Sequence, residues 1–249
     1  MRIPVIRGVI DRRILVNFRV DPDVLAKVLP PPFRPKLVNG FGMAGICLIR
    51  LKHIRPRCLP SFVGVNSENA AHRIAVEWDQ DGRRHEGVFI PRRDTSCGMN
   101  TLVGGRVFPG VHHHGRFQVC EHDGRYHVSL DSDDDGTHVA VDGRLNTEWP
   151  AKSVFPSVEE ASRFFECGSL GYSVTRKSGC FDGLELRTFA WHVEPLAMDS
   201  VESSFFEDQR LFPAGSVEFD CALLMRRIEH EWHGRPRLRV PRASELVYD

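Results

Sequence analysis

The chain has 249 residues, enough to bury a large hydrophobic core, and its charge balance argues against several classes of partner. It carries 33 Lys and Arg residues against 33 Asp and Glu residues, and its pI is about 7.2. A balanced chain lacks the basic face of nucleic-acid and membrane-surface binders, so we expect neither kind of partner. The seven scattered cysteines form no C-x-x-C pair, which argues against a disulfide framework and a zinc ribbon.

The expected compartment is the cytoplasm. The N-terminus has too few apolar residues for a signal peptide. The longest apolar stretch, residues 41–49, is far shorter than the roughly 18 residues of a membrane span. Neither a repeat nor a composition shift divides the chain, so we predict a single domain over residues 1–249, with a peripheral Arg- and Pro-rich tail from about residue 234.

Most segments alternate apolar and polar residues with the period of a half-buried strand. These segments lie at residues 14–20, 74–79, 126–130, 137–141 and 217–225. Turns rich in Gly, Pro and Asp separate them, which is typical of a sandwich or a barrel. The sequence therefore predicts a mainly β fold.

Helix signals are few and short. Asp21 is a good N-cap, Pro22 suits the first helical position, and the prolines at residues 30–32 end the helix. Ser157 and Glu160 form a capping box ahead of a second apolar stripe. We predict one short helix after each cap.

The run His112-His113-His114 is the most unusual feature of the sequence. On a strand, His112 and His114 point to one side and His113 to the other. One of them could act as a general acid or base near neutral pH. Alternatively, His112 and His114 share a metal with a third ligand such as Glu68. A polar strand end with exposed or hydrogen-bonded histidines is the third interpretation.

A second feature is the segment Pro91-Arg92-Arg93-Asp94. In an extended segment Arg92 and Arg93 fall on opposite faces, so one of them could face an interior cavity and bind a carboxylate in bidentate fashion. The other would pair with Asp94 or face water. An internal Arg–Asp pair without a ligand is an equally good interpretation.

The acidic segment Asp131-x-Asp133-x-Asp135 matches the start of a calcium-binding loop. A calcium loop of that kind needs helices on both sides, whereas both flanks here alternate like strands. We therefore interpret the segment as the acidic turn of a β-hairpin.

Several of these segments together resemble a known family. The motifs lie at residues 18–33, 91–96, 104–114, 203–206 and 219–226. They resemble the YqjF-like group of uncharacterised proteins in the acetoacetate-decarboxylase-like superfamily, over residues 10–233. The resemblance implies a largely antiparallel sheet closed into a cone-shaped barrel, with a few short helices and a ligand cavity inside.

The resemblance also implies a site, with one important substitution. Acetoacetate decarboxylases use a lysine as Schiff-base nucleophile next to a second lysine, and those positions are His113 and His114 here. An imidazole cannot form the imine, so the decarboxylase mechanism is not expected. Arg106 matches the arginine of the family's catalytic motif, and Glu68 matches one of its pocket glutamates.

From these residues we predict a cavity for a small organic acid, such as a keto acid, with no cofactor. Arg92 and Arg106 would bind the carboxylate, while His113, His114 and Glu68 would move protons. The alternatives are a non-enzymatic small-molecule-binding protein and a metal-dependent enzyme that uses residues 112–114. Related barrels often assemble, so a homo-oligomer is also expected.

Overall fold

The fold is built around one extensively paired sheet. The computed structural model describes residues 4–98, 110–134 and 136–240, and thirteen strands in these ranges share the sheet. The strands are β1 (Ile6–Val20), β2 (Arg34–Pro35), β3 (Leu37–Val38), β4 (Phe41–Pro56), β5 (Val65–Gln80), β6 (Arg83–Thr95), β7 (His113–His122), β8 (Arg125–Ser132), β9 (His138–Leu145), β10 (Leu170–Val174), β11 (Cys180–Thr188), β12 (Glu194–Ser203) and β13 (Val217–Arg239).

The helical elements are short, and the two that the N-cap signals predict begin where expected. They are α1 (Pro22–Val28), α2 (Val158–Cys167) and α3 (Ser204–Glu207), with a 3-10 turn at Ser61–Val63. The Asp21 carboxylate accepts a hydrogen bond from the Asp23 backbone N–H at 2.8 Å and caps α1. The Ser157 hydroxyl accepts from the Glu160 N–H at 3.4 Å and caps α2. Among the described residues, no helix is both long and apolar enough to span a membrane.

Seven of the strands close into a ring. Strands β13, β1, β4, β5 and β6 pair antiparallel in that order, β6 pairs parallel with β10, and β10 and β11 lead back antiparallel to β13. Gly87 allows the β6–β10 contact, because a Cβ there would lie 2.3 Å from the Leu170 carbonyl oxygen. From β6 the sheet also runs through β7, β8, β9 and β12 back to β13. The prediction of a mainly β, largely antiparallel fold is confirmed.

The long strands are buried on both faces. On β1, Ile14 and Val16 face one hydrophobic core, as their alternation predicts. Leu15, on the opposite face, packs in a second core together with Phe165 of α2. Asn17 shares that second face and is fully buried, whereas the alternation alone suggests a polar, solvated face.

The end of the chain differs from the expected peripheral tail. Residues 234–239 are the last part of β13, and they pair with β11 from Gly183↔Arg235 to Cys180↔Arg239. Backbone pairing accounts for this, because β11 offers a free edge that the Arg- and Pro-rich composition does not reveal. Residues 241–249 lie outside the described ranges.

Candidate functional site

A cavity of about 120 Å³ lies inside the seven-stranded ring. Its volume approaches the roughly 150 Å³ of an engineered cavity that holds benzene. Every strand of the ring contributes to its wall, and Phe165 and Gly168 close it from the end of α2. The contributing strand residues include Arg13 (β1), Cys47 (β4), Arg73 (β5), Arg93 (β6), Gly171 (β10), Leu184 (β11) and Trp232 (β13).

Three arginines, on β1, β5 and β6, line this largely apolar cavity. Arg93 donates from Nε to the Ser173 hydroxyl at 2.9 Å. Arg73 donates to the side-chain oxygen of Asn17, and its guanidinium lies 4.7 Å from the centre of the Phe165 ring. These contacts position the guanidinium groups without neutralising them.

None of the three arginines forms an ion pair with a carboxylate in the described part of the chain. Arg13 instead donates to the sulfur of Cys47 at 3.3 Å and lies 5.8 Å from the Trp191 ring. Burial lowers the pKa of Arg73 and of Arg93 to about 10, so both remain protonated near neutral pH. Isolated positive charge in an apolar environment is costly, and an anionic ligand in the cavity would offset that cost.

Of the three consecutive histidines, His112 is the one that lines the cavity. It lies just before β7 and also borders an outer groove that contains Arg176 and Arg237. Burial, followed by the charge of Arg93, lowers the pKa of His112 to about 3. The imidazole is therefore neutral at physiological pH, and its unprotonated ring nitrogen can accept a hydrogen bond.

His113 and His114 pair with the acidic turn between β8 and β9 instead. The Nδ1 atom of His113 lies 2.7 Å from Asp134, and that of His114 lies 2.6 Å from Asp133. Both side chains are about one-third exposed or more, at 33% and 40%. The prediction of an acidic hairpin turn is thus confirmed. The sequence prediction that these two histidines line the cavity is not supported, because neither is among its lining residues.

Arg92 pairs with Asp94 and with the acidic turn, while its neighbour Arg93 lines the cavity, as Asp94 also does. Arg92 Nη2 lies 2.9 Å from Asp94, which is 1% exposed, and 2.7 Å from Asp134. Its hydrogen bond holds the pKa of Asp134 well below the ordinary range of a carboxyl group. One arginine faces the cavity and the other pairs with Asp94, as the alternation predicts. The residue at the cavity is Arg93, whereas we expected Arg92 there.

Glu68 belongs to a separate ion-pair network at the ring wall. It lies 2.6 Å from Nη2 of Arg12, which is only 2% exposed, and it also pairs with Arg50. Glu121 supplies a second carboxylate to Arg12 at 2.7 Å. Glu68 is not among the residues that line the cavity, so its contacts indicate a structural ion pair.

Two further predictions concern Arg106 and a metal. Arg106 lies outside the described residues. His112 and His114 have different surroundings, the cavity and the acidic turn respectively. In the described ranges no three His, Cys, Asp or Glu side chains are arranged to hold a metal ion.

Sequence reasoning missed Arg13, Arg73 and Cys47. A signal was nevertheless present for Arg73, since it directly precedes the apolar Ile74 and so lies on the opposite face of the same strand. That face becomes interior only when the ring closes.

Solved structures with this fold are acetoacetate decarboxylases and similar enzymes. An acetoacetate decarboxylase from Legionella pneumophila superposes with a TM-score of 0.64 and 11% identity, over 96% of this chain and 88% of that one. The enduracididine biosynthesis enzyme MppR, solved with pyruvate, superposes with a TM-score of 0.58 and 12% identity, over 96% of this chain and 91% of that one. An acetoacetate-decarboxylase-like enzyme from Sphingomonas wittichii superposes with a TM-score of 0.55 and 12% identity, over 97% of this chain and 94% of that one.

These superpositions show that the chain has an acetoacetate-decarboxylase-like fold. Within that class the chain belongs to the DUF2071 family of uncharacterized conserved proteins, whose model matches residues 10–220. This confirms the family resemblance carried by the sequence motifs. No curated protein matches the chain significantly.

Proposed function

We propose that this protein binds a small organic acid of the keto-acid class in the ring cavity and acts on it by proton transfer. The observation that carries the proposal is the set of three cavity arginines, Arg13, Arg73 and Arg93, with no carboxylate partner in the described part of the chain. A carboxylate is the planar anion that a guanidinium binds best, through two parallel hydrogen bonds.

The rest of the cavity wall limits the ligand to a small and partly apolar molecule. Trp191, Trp232, Ile90 and Leu184 surround the arginines, and the volume is about 120 Å³. Such walls favour a short carbon skeleton next to the carboxylate rather than a sugar phosphate or nucleotide. A keto acid with a few carbon atoms fits both the charge and the volume.

The relatives support the same ligand class, on the basis of a shared fold. MppR has been solved with pyruvate and with a condensation product of pyruvate and imidazole 4-carboxaldehyde. Pyruvate is a small keto acid, so it is a reasonable first ligand to test on this chain.

His112 would supply the proton-transfer group. Its neutral imidazole lines the same cavity as Arg93, and the Arg93 charge helps to keep it neutral. The ligand carboxylate would offset the charge of Arg93 and so raise the basicity of His112. The imidazole could then accept a proton from the carbon next to a carbonyl group, while Arg93 stabilises the developing enolate. This chemistry requires no imine and therefore no lysine.

Calorimetric titration with pyruvate and with acetoacetate tests the binding step. Acetone and acetamide are the neutral comparison ligands. We expect both acids to bind and both neutral compounds to fail, and Arg93→Gln should weaken acid binding by roughly tenfold to a hundredfold, since a charge-assisted hydrogen bond contributes about 1.5–3 kcal/mol.

The exposed Arg210 provides a matched control. It is 90% exposed and pairs locally with Asp208, so Arg210→Gln should leave the affinity unchanged. Equal binding of acids and neutral analogues would refute the anion site.

Proton exchange tests the reaction step. In D₂O the methyl protons of bound pyruvate should exchange with solvent faster than without protein, and His112→Gln should abolish the acceleration while leaving binding within a few-fold. Binding without any accelerated exchange or conversion would instead indicate a non-enzymatic binding protein.

A further inference from the structure

Cys47 is the one cysteine that lines the cavity in the described ranges, and its surroundings are positively charged. Its side chain is on β4, 7% exposed, and accepts a hydrogen bond from Arg13 Nε at 3.3 Å. Arg13 has no carboxylate partner there, and its other polar contact is the Met225 sulfur at 3.8 Å. A thiolate at Cys47 would give Arg13 the anionic partner that it otherwise lacks.

A second observation indicates that a ligand occupies the space next to this thiol. Arg73 lines the same cavity, is 6% exposed, and its Nε atom has no hydrogen-bond partner among the described residues. Buried polar groups are nearly always satisfied, so an unpaired guanidinium N–H at a cavity wall indicates an absent hydrogen-bond acceptor. A ligand carboxylate held there would be in the same small cavity as the Cys47 sulfur.

We propose that Cys47 is a nucleophile that forms a reversible covalent adduct with the keto acid held by these arginines. The inference rests on the proposed function, because the arginines must first bind the carboxylate. It extends that function by replacing the missing Schiff-base lysine with a different nucleophile. Ser169 also lines the cavity, but a serine hydroxyl is intrinsically a weaker nucleophile than a cysteine side chain.

The step is an addition with no change of oxidation state. The Cys47 sulfur forms a bond to the carbonyl carbon of the acid, and the π electron pair of the C=O bond moves to oxygen. That oxygen receives the proton lost by the thiol, so the product is a thiohemiketal that contains all atoms of both reactants. Reversal regenerates the free thiol and the keto acid.

Competitive alkylation with iodoacetate and iodoacetamide tests the reactivity of the thiol, with each cysteine followed by peptide mass spectrometry. Iodoacetate carries a carboxylate and iodoacetamide does not. At Cys47 we expect iodoacetate to react at least tenfold faster than iodoacetamide. At the exposed Cys58 of the same sample we expect no such preference for the anion.

Cys221 is the internal control for burial. It is fully buried like Cys47, but it does not line the cavity, and burial raises the pKa of its thiol. It should remain unmodified by both reagents. Equal protection of Cys47 and Cys221 after complete reaction of Cys58 would overturn the proposal.

Carbon-13 NMR of pyruvate labelled at the keto carbon tests the adduct itself. The wild-type protein should move part of this signal from the ketone region to that of a tetrahedral carbon, and Cys47→Ala should abolish the new signal while still binding pyruvate in the calorimeter. The variant Cys58→Ala is the matched control and should behave like wild type.

The two proposals fail in different ways. If pyruvate binds and its keto carbon remains a ketone, the covalent adduct is excluded and the anion site stands. If pyruvate, acetoacetate and iodoacetate all fail to enter the cavity, the anion site is excluded and the adduct with it.

Discussion

Arg93 donates a hydrogen bond from Nε to the hydroxyl of Ser173 across the parallel pair of β6 and β10, at 2.9 Å. This pair completes the seven-stranded ring, so the same contact that joins the two strands also holds a guanidinium at the cavity wall. Ser173 is only 1% exposed, so the hydrogen bond is shielded from solvent. Ring closure and the charge of the cavity are therefore linked at this position.

Removal of the Ser173 hydroxyl should weaken ligand binding without removing any charge. In Ser173→Ala, Arg93 loses its positioning partner but keeps its charge. We therefore expect the affinity for pyruvate to fall roughly threefold to tenfold, an indirect effect on binding of about 1 kcal/mol. Calorimetric titration measures the change. Ser204→Ala is a suitable control, because the exposed Ser204 hydroxyl accepts a hydrogen bond from the His138 backbone N–H, and neither residue lines the cavity. An affinity equal to that of wild type would show that Ser173 does not position Arg93.

Arg92→Ala should destabilise the protein strongly and affect ligand binding only indirectly, through Asp94, which also lines the cavity. The substitution leaves the fully buried carboxylate of Asp94 without its guanidinium partner, which costs on the order of 3 kcal/mol. Urea denaturation gives the free energy of unfolding, and titration of the folded variant with pyruvate gives its affinity. Arg210→Ala, at an exposed pair, should cost less than about 1 kcal/mol. A large loss of affinity with unchanged stability would restore Arg92 as the carboxylate anchor.

Glu68→Gln should also affect stability rather than binding. Arg12 is buried between Glu68 and Glu121, so loss of either carboxylate charge weakens a charge-assisted hydrogen bond to Arg12, and each substitution should cost about 2 kcal/mol. Glu121→Gln is therefore the matched comparison in the same denaturation experiment. If only Glu68→Gln slowed proton exchange of pyruvate, and its stability stayed at the wild-type level, Glu68 would have an acid–base role after all.

The buried histidines should make the protein less stable as the pH falls below neutrality. His230 is fully buried, and burial lowers its pKa to about 4, whereas a histidine in the unfolded chain has a pKa of about 6.5. Between these values the unfolded chain binds a proton that the folded chain excludes. The stabilising effect is therefore complete above about pH 6.5 and is lost toward pH 4, by at most about 1.4 kcal/mol per pH unit.

Urea denaturation at pH 7 and pH 5 measures this effect. The variant His230→Gln should lose less stability between the two pH values than wild type does, because one of the titrating groups is gone. His122→Gln, at a side chain that is 80% exposed, should retain the wild-type pH dependence. His72 and His112 also have pKa values lowered to about 3 by burial, so part of the dependence should persist in the His230 variant. If the His230 variant lost as much stability between pH 7 and pH 5 as wild type does, His230 would not be one of the groups that cause the pH dependence.

The local features of the fold could be read from the sequence because they depend on residues close together in the chain. Alternation along β1 and β5 placed Ile14 and Ile74 in the core, and the caps at Asp21 and Ser157 marked two helix starts. The family motifs identified the superfamily and hence the ring. These features follow from side-chain direction in a strand and from the unpaired N–H groups of a first helical turn.

The site depended on tertiary structure. The sequence shows that Arg92 and Arg93 point in opposite directions, but only ring closure decides which direction leads into the cavity. Likewise, the β8–β9 hairpin brings Asp133 and Asp134 to His114 and His113, and leaves His112 to line the cavity. Alternation along a strand is a local property, whereas the identity of the enclosed face is set by strand pairings between residues far apart in the chain.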